Sequence, residues 1–459
     1  VYESGKNPRR SITRRFSPGD RTADPIVMFD RYYEDVYTDP GSPTTRRLPG
    51  GEYVLATFEK DTKLLLMGNG HRASGKQPFV DLYDIASGET ERIWESSPPY
   101  LEYPISIMEP PSAEELTLDG ISLLVSRETP KDPPQYYVRK YPTSFRTAEA
   151  ATEQCITNFP HPYEELRDLQ KEIIQYERED GTPLTATLYT PPGYVSSRDG
   201  PLPMLLWAYP REFKTKEAAG QLRDSPYRFT GIGSSSPLLF LARGYAVLDG
   251  PTMPIIGEGE AEPNDSYIEQ LTSSARAAVE EVVRRGVAHP ARIAVGGHSY
   301  GAFMAANLLA HAPDLFCCAV ARSGAYNRTL TPFGFQAEER SLWEATDTYM
   351  KMSPFMVANK IKKPILLIHG EEDNNTGTFP MQSERFFSAL KGHGATCRLV
   401  ILPHESHGYR GRESILHGLY EMCAWLDMFC AADAEPSNGN GGAQLEPEGD
   451  KASEASLKA

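Results

Sequence analysis

Nowhere does the sequence hold the unbroken run of roughly 18–20 apolar residues that a membrane-spanning helix needs, which reads as a soluble protein. Cysteine is scarce. Cys155, Cys317, Cys318, Cys397, Cys423 and Cys430 are the whole complement in 459 residues, mostly inside apolar runs and without framework spacing, so they are read as buried thiols of a reducing compartment and not as disulfide staples. Positive charge is in deficit as well. Against 62 Asp and Glu stand 47 Lys and Arg, and a net charge of −15 argues against a nucleic-acid surface, although part of the acidity lies near the C-terminus. No motif supplies a metal: His404-Glu405-Ser406-His407 lacks the helical i, i+4 spacing of His-Glu-x-x-His and follows a strand pattern. In Gly257-Glu258-Gly259-Glu260 carboxylates stand between the glycines, where they would repel phosphate, and no lysine follows in phosphate-binding register, so no cofactor is expected.

What remains is ordinary globular composition, 40% hydrophobic and 24% charged, in a chain long enough for two domains. Up to about residue 160 short β-type runs (53–59, 64–68, 79–85, 90–95, 121–126, 135–140) alternate with turn clusters and no long amphipathic helix intervenes. Residues 80–94 read as a strand, a Ser-Gly turn and a returning strand, the hairpin from which propeller blades are built, so residues 1–160 are expected to be a β-rich, partial β-propeller segment. The chain opens at Val1 in mid-pattern, which is read as an N-terminal truncation. Residues 161–432 alternate strands (204–208, 246–249, 292–296, 318–322, 365–369, 398–402) with helices (266–285, 302–311, 382–391, 412–429), the pattern of a mostly parallel, doubly wound α/β sheet. Residues 433–459, acidic and rich in Gly, Ser and Ala, are expected to be a disordered tail.

One turn in the second part carries chemistry. Gly297-His298-Ser299-Tyr300-Gly301 follows the apolar run Ile293-Ala294-Val295 and opens into Ala302-Phe303-Met304-Ala305-Ala306, the context of a nucleophile elbow. The outer glycines allow a turn too tight for side chains, and the serine hydroxyl stands above the sheet edge beside the first N–H groups of a helix. Two later strands also end in reactive side chains. The run 364–370 leads to Asp373, a candidate acid, and the run 399–402 leads to His407, a candidate base. Ser, Asp, His in that chain order, each just beyond a parallel strand, is the order of α/β-hydrolases. His298 adjoins the serine on a tight turn that aims it elsewhere, and it is expected to pack.

A β-rich part followed by this catalytic half resembles the prolyl oligopeptidase family of serine peptidases, with specific motifs over about 159–429 and more loosely before them. The resemblance implies an α/β-hydrolase catalytic domain preceded by propeller, a Ser299–Asp373–His407 triad, peptides or unfolded proteins as substrates, and no cofactor. It also implies an oxyanion hole of the Tyr209 hydroxyl and the Tyr300 N–H. Physical reasoning agrees, since the oxyanion needs two fixed donors and Tyr209 ends an earlier strand. The runs 253–265 and 369–375 are similar to the glutamate-cleaving plant branch of that family, which implies cleavage after glutamate in the chloroplast stroma. Many members carry Arg or Val-Pro after the acid, whereas Asn374-Asn375-Thr376-Gly377 stands here, and the Asn375 amide is expected to take over recognition of the substrate backbone. A glutamate side chain needs a cation. Of Arg211, Arg322, Arg328 and Arg340, all near the catalytic edge, Arg328 and Arg211 are favoured because both follow core strands. Two other readings stay open: an esterase with the same triad, and a non-catalytic protein that binds a partner through its β-rich part.

Overall fold

In the computed structural model, which describes residues 2–4, 9–16, 19, 22–108, 116–141 and 152–431, the sheet that organises the molecule has eight strands. In chain order these are β1 (Gln170–Glu177), β2 (Pro183–Thr190), β3 (Leu202–Trp207), β4 (Ala246–Asp249), β5 (Ala288–His298), β6 (Cys318–Arg322), β7 (Ile365–Gly370) and β8 (Cys397–Leu402). Across the sheet they lie in the order β1-β2-β4-β3-β5-β6-β7-β8, with β1 and β2 antiparallel and all strands from β4 onward parallel. The central strands are largely apolar because both faces are covered, and their polar side chains sit toward the strand ends. Met204, Leu206, Ile293, Val295, Ala319, Ala321, Ile365 and Leu367 pack on one face with helices α1 (Tyr267–Arg284), α2 (Tyr300–His311) and α4 (Met381–Gly392), α3 (Thr346–Met352) lying between the last two in sequence. Their neighbours Leu205, Ala294, Val320, Leu366 and Ile368 point the other way, onto α5 (Arg412–Phe429) and the turn of helix Pro237–Arg243. This period-2 partition is what a doubly wound sheet requires, and the α/β class expected from the sequence is present.

The strands before the large sheet form separate antiparallel sheets. Lys63–Gly68, Phe79–Asp84 and Thr90–Glu95 run side by side with Ser42–Pro43 at one edge, and Leu101–Ile107, Ser122–Glu128, Gln135–Lys140 and Thr152–Cys155 make a four-stranded meander. The 84–90 turn is fixed locally: the Asp84 carboxylate accepts the N–H groups of Ala86 and Ser87, both at 2.8 Å, and Gly88 takes the positive φ of 77° that the reversal needs. Leu65, Val80, Leu82, Leu123 and Val125 give these sheets a core of their own. The expected disordered tail at 433–459 lies outside the described residues.

Buried and half-buried polar contacts tie the two parts together. Arg9 pairs with Glu34 and donates to the Glu212 carbonyl at 3.1 Å, Glu34 accepts the Lys214 N–H at 3.0 Å, and the Gln221 amide spans the Asp35 carboxylate at 2.6 Å and the Val36 N–H at 2.7 Å. In the catalytic half, burial and the nearby Asp224 carboxylate push the Asp249 carboxyl up to about 6, against the pull of the Gly250 N–H, Arg228 and Lys171. A folded-state value above the unfolded one, about 3.9, means that the folded protein holds this proton more tightly, so Asp249 lowers stability as pH rises from about 4 through its folded value. Asp249→Asn is expected to raise Tm at pH 8 more than at pH 5. Equal shifts in thermal melts at the two pH values would contradict it.

Candidate active site

Strand β5 runs straight into α2, and Ser299 is the single residue between them, held at φ 59° and ψ −117°, a region costly for any residue with a Cβ. Backbone bonds maintain it: the Ser299 N–H donates to the Arg322 carbonyl at 2.8 Å, and its own carbonyl accepts from Ala302 at 3.0 Å and Phe303 at 3.2 Å. The two glycines of the motif are required by close approach. A Cβ on Gly297 would sit 2.4 Å from the Gly301 carbonyl carbon, and one on Gly301 would sit 2.3 Å from the Ala208 oxygen. Gly301→Ala therefore pushes the elbow away from the strand end that carries Tyr209. We expect a loss of about 1–3 kcal/mol of stability, the usual range for overpacking, together with slowed labelling of Ser299 by a fluorophosphonate. Wild-type melting and labelling would refute this placement.

Asp373 and His407 lie beyond the ends of β7 and β8 and meet there. The His407 Nδ1 is 2.8 Å from Asp373 Oδ2. Thr378 closes a small ring with them, its hydroxyl 3.1 Å from Asp373 Oδ2 and 3.0 Å from His407 Nδ1. His369 reaches the same carboxylate oxygen with Nε2 at 3.1 Å and the Thr378 carbonyl with the same nitrogen at 2.6 Å. A carbonyl only accepts, so His369 Nε2 carries the proton and Nδ1 accepts from the Ser383 hydroxyl at 2.6 Å. The Asn375 N–H completes the shell at 3.0 Å from Asp373 Oδ1. Burial pushes the Asp373 carboxyl up, but hydrogen bonds from His369, His407 and Asn375 outweigh it and hold the group well below the usual carboxylate range. An ionised Asp373 fixes the His407 proton on Nδ1 and leaves Nε2 as an acceptor. The His407 ring lies 4.8 Å from that of His298, the residue before Ser299, which brings it against the elbow. No hydrogen bond joins Ser299 to the imidazole among the described residues, the looser geometry common before substrate binds. Burial, Arg322 and His407 lower His298 to about 3, so it packs as a neutral ring.

In front of Ser299 lies a cavity of about 380 Å³, lined among others by Tyr300, Arg328, Phe333, Phe335, Asn375 and Thr378. Tyr300 is the first residue of α2, so its N–H has no partner within the helix. Tyr209 stands beside it, ring centroids 5.8 Å apart, its hydroxyl exposed and accepting from Gln336 at 3.2 Å. Arg328 is only 3% exposed, and its guanidinium lies 4.3 Å from the Phe303 ring centre, 4.4 Å from that of Phe335 and 5.2 Å from that of Tyr300. No carboxylate pairs with it among the described residues, and its buried Nε has no hydrogen-bond partner. The other arginines are placed differently. Arg211 is exposed on the strand Arg211–Phe213 and does not line the cavity, Arg322 donates to the Ser235 carbonyl at 3.0 Å between the Trp207 and Tyr409 rings, and Arg340 is held by Glu338 and Asp265. The Asn375 side chain donates to Thr378 at 2.9 Å at the cavity wall. Sequence reasoning missed Thr378, His369 and Glu212, whose carboxylate accepts from the Tyr300 hydroxyl at 3.1 Å. It also missed the aromatic rim, where Phe333, 80% exposed, packs on Trp343 with centroids 5.6 Å apart.

Residues 271–432, the stretch that holds Ser299, Asp373 and His407, match the profile described as the prolyl oligopeptidase family. The chain carries a prolyl oligopeptidase family domain. Its similarity to plant members extends well beyond that stretch: it is 58% identical over 450 residues to a rice protein (Oryza sativa subsp. japonica) named "Probable glutamyl endopeptidase, chloroplastic", covering 97% of this chain and 47% of the relative. A protein of the same name from Arabidopsis thaliana is 59% identical over 445 residues, covering 95% of this chain and 46% of the relative. The chain thus spans about half the length of the curated relatives it matches. Among solved structures, a puromycin-hydrolyzing peptidase of Mycobacterium tuberculosis superposes with a TM-score of 0.59 at 16% identity, over 92% of this chain and 66% of that one. Dipeptidyl peptidase 4 of Porphyromonas gingivalis does so with 0.57 at 15% identity, over 93% and 61%. At such identities these two likenesses speak for the prolyl oligopeptidase fold alone.

Proposed function

We propose that this protein is a serine endopeptidase that cleaves peptides on the carboxyl side of glutamate, through the triad Ser299, His407 and Asp373. Peptide binding in the cavity places the scissile carbonyl over Ser299. His407 Nε2 takes the hydroxyl proton as Ser299 Oγ attacks, Asp373 stabilises the imidazolium, and the oxyanion accepts hydrogen bonds from the Tyr300 N–H and the Tyr209 hydroxyl. His407 then gives its proton to the leaving amine, and water, deprotonated by the same imidazole, releases the acyl group. The Asn375 amide faces the substrate backbone.

The observation that carries the glutamate assignment is Arg328. A guanidinium enclosed by three rings, without a carboxylate of its own among the described residues and opening on the cavity of the nucleophile, supplies what an acidic side chain lacks when it leaves water. The names of the plant relatives agree with this specificity and with a plastid location, for which we propose the stroma. A library of quenched fluorescent peptides varied at the residue before the scissile bond tests the proposal. Cleavage after Glu ahead of Gln and Asp is expected. Hydrolysis of acyl esters without any peptide cleavage would replace it with an esterase, and failure of a fluorophosphonate to label Ser299 in folded protein would replace it with a non-catalytic role.

A further inference from the structure

The strand Arg211–Phe213 brings one carboxylate to a residue of the cavity wall. Glu212 does not line the cavity, and it makes no ion pair with Arg328. Its Oε1 accepts from the Tyr300 hydroxyl at 3.1 Å, and the ring of that tyrosine, 1% exposed, is one of the three faces on which the Arg328 guanidinium rests, 5.2 Å from the ring centre. Tyr300 is fixed at its other sides by Phe303, stacked at 5.3 Å, and by Tyr267, at 5.8 Å. Glu212 is itself anchored from the β-rich part: Arg9 donates to its carbonyl at 3.1 Å and Glu34, paired with Arg9, accepts the N–H of Lys214 two residues on at 3.0 Å.

We propose that Glu212 is a positioning residue for acidic-substrate recognition, holding the Tyr300 ring by its hydroxyl so that Arg328 stays aimed into the cavity with its N–H groups free for the substrate carboxylate. This deepens the glutamate reading and rests on it. Two physical effects converge. A phenol that donates to a carboxylate becomes richer in π electrons, which strengthens its attraction for a cation over the ring. Burial raises the Glu212 carboxyl, while the Tyr300 hydroxyl, Arg9 and Arg328 favour its charged form; that charge, one tyrosine away, offsets part of the burial penalty of Arg328 without occupying its donors, as a direct ion pair would. The Arg9–Glu34 pair then makes the β-rich part a support of the pocket, since it sets the strand from which Glu212 reaches Tyr300.

The test compares kcat/KM for matched peptides that differ only in Glu or Gln before the scissile bond. Glu212→Leu, which removes the acceptor, is expected to lower the Glu-over-Gln ratio by about tenfold, chiefly through a higher KM for the glutamate peptide. Glu212→Gln, whose amide oxygen can still accept from Tyr300, is expected to recover most of that ratio. Arg9→Met, which frees the strand, is expected to lie between the two. Fluorophosphonate labelling of Ser299 confirms that each variant has a folded site. Arg328→Met is the reference: if it abolishes discrimination while Glu212→Leu keeps the wild-type ratio, the role of Glu212 is overturned and the glutamate reading stands. If Arg328→Met itself leaves the ratio unchanged, the roles of Arg328 and Glu212 fall together and the recognition of glutamate passes to another group. Equal losses in Glu212→Gln and Glu212→Leu would also overturn the proposal, because the retained acceptor would then count for nothing.

Discussion

His407→Ala is expected to lower kcat by about 10⁶-fold, Ser299→Ala by as much, and the double variant by no more, because the residues of such a unit act on one proton and one bond. The geometry gives each a distinct failure. Without Ser299 no acyl-enzyme forms. Without His407 the hydroxyl keeps its proton, and His298, whose ring lies 4.8 Å from that of His407, does not replace it: burial and Arg322 make it a weak base, and no hydrogen bond joins it to Ser299 among the described residues. Asp373→Asn is expected to cost less, about 10⁴-fold, through loss of the charge that stabilises the imidazolium and through competition for the tautomer. Four donors surround that carboxylate, from His407, His369, Thr378 and Asn375, and an amide must turn its NH2 toward at least one of them. Those donors hold Asp373 ionised well below the usual carboxylate range, so the charge that stabilises the imidazolium persists to acid pH. Single-turnover kinetics with an activated ester separate acylation from release. Wild-type acylation in His407→Ala would remove His407 from the mechanism.

How much of this was legible beforehand depends on what fixes each feature. The strands of the catalytic half could be read because they are buried on both faces and their apolar runs end where function begins; Ala246–Asp249, Cys318–Arg322 and Arg412–Phe429 fall where the pattern puts them, and α2 begins two residues early because the helix starts at the elbow itself. Leu101–Ile107 was not read as a strand. It contains Pro104, which ordinarily breaks a ladder, and the structure accommodates it with a register shift between Pro104 and Ser106. The pair Arg211–Phe213 and Pro254–Ile256 is three residues long on each side and has no periodicity to show; pairing between distant loops creates it. The same division runs through the site. Ser299, Asp373 and His407 could be named because each follows a strand in a fixed chain order. Thr378, His369 and Glu212 act by where the folded loops bring them, and His369 looked like one more residue of a buried strand. Between Arg328 and Arg211 the sequence offered no choice, since both follow core strands; only burial and the cavity separate them.

Arg328→Met is expected to reduce kcat/KM for glutamate peptides by about 10²–10³-fold, the rate equivalent of the several kcal/mol lost when one partner of a buried charge pair is removed, and to reduce it far less for glutamine peptides. The methionine fills the slot between Phe303, Phe335 and Tyr300, where its thioether packs well against rings, so lost packing contributes little. Arg328→Lys keeps the charge but neither the flat stacking surface nor the two-pronged donor pattern that matches a carboxylate, and an intermediate loss is expected. Stability separates a binding role from a structural one. Burial disfavours the charged form of Arg328, no ion pair compensates it among the described residues, and its Nε lacks a hydrogen bond, so this cation burdens the fold. Replacing it by methionine is therefore expected to raise Tm while selectivity collapses, the trade between stability and function found where a site is kept ready for its ligand. Steady-state kinetics on matched Glu and Gln peptides and a thermal melt of the same preparation decide the matter. A lower Tm with equal losses on both peptides would make Arg328 a structural cation and leave the recognition of glutamate to another group.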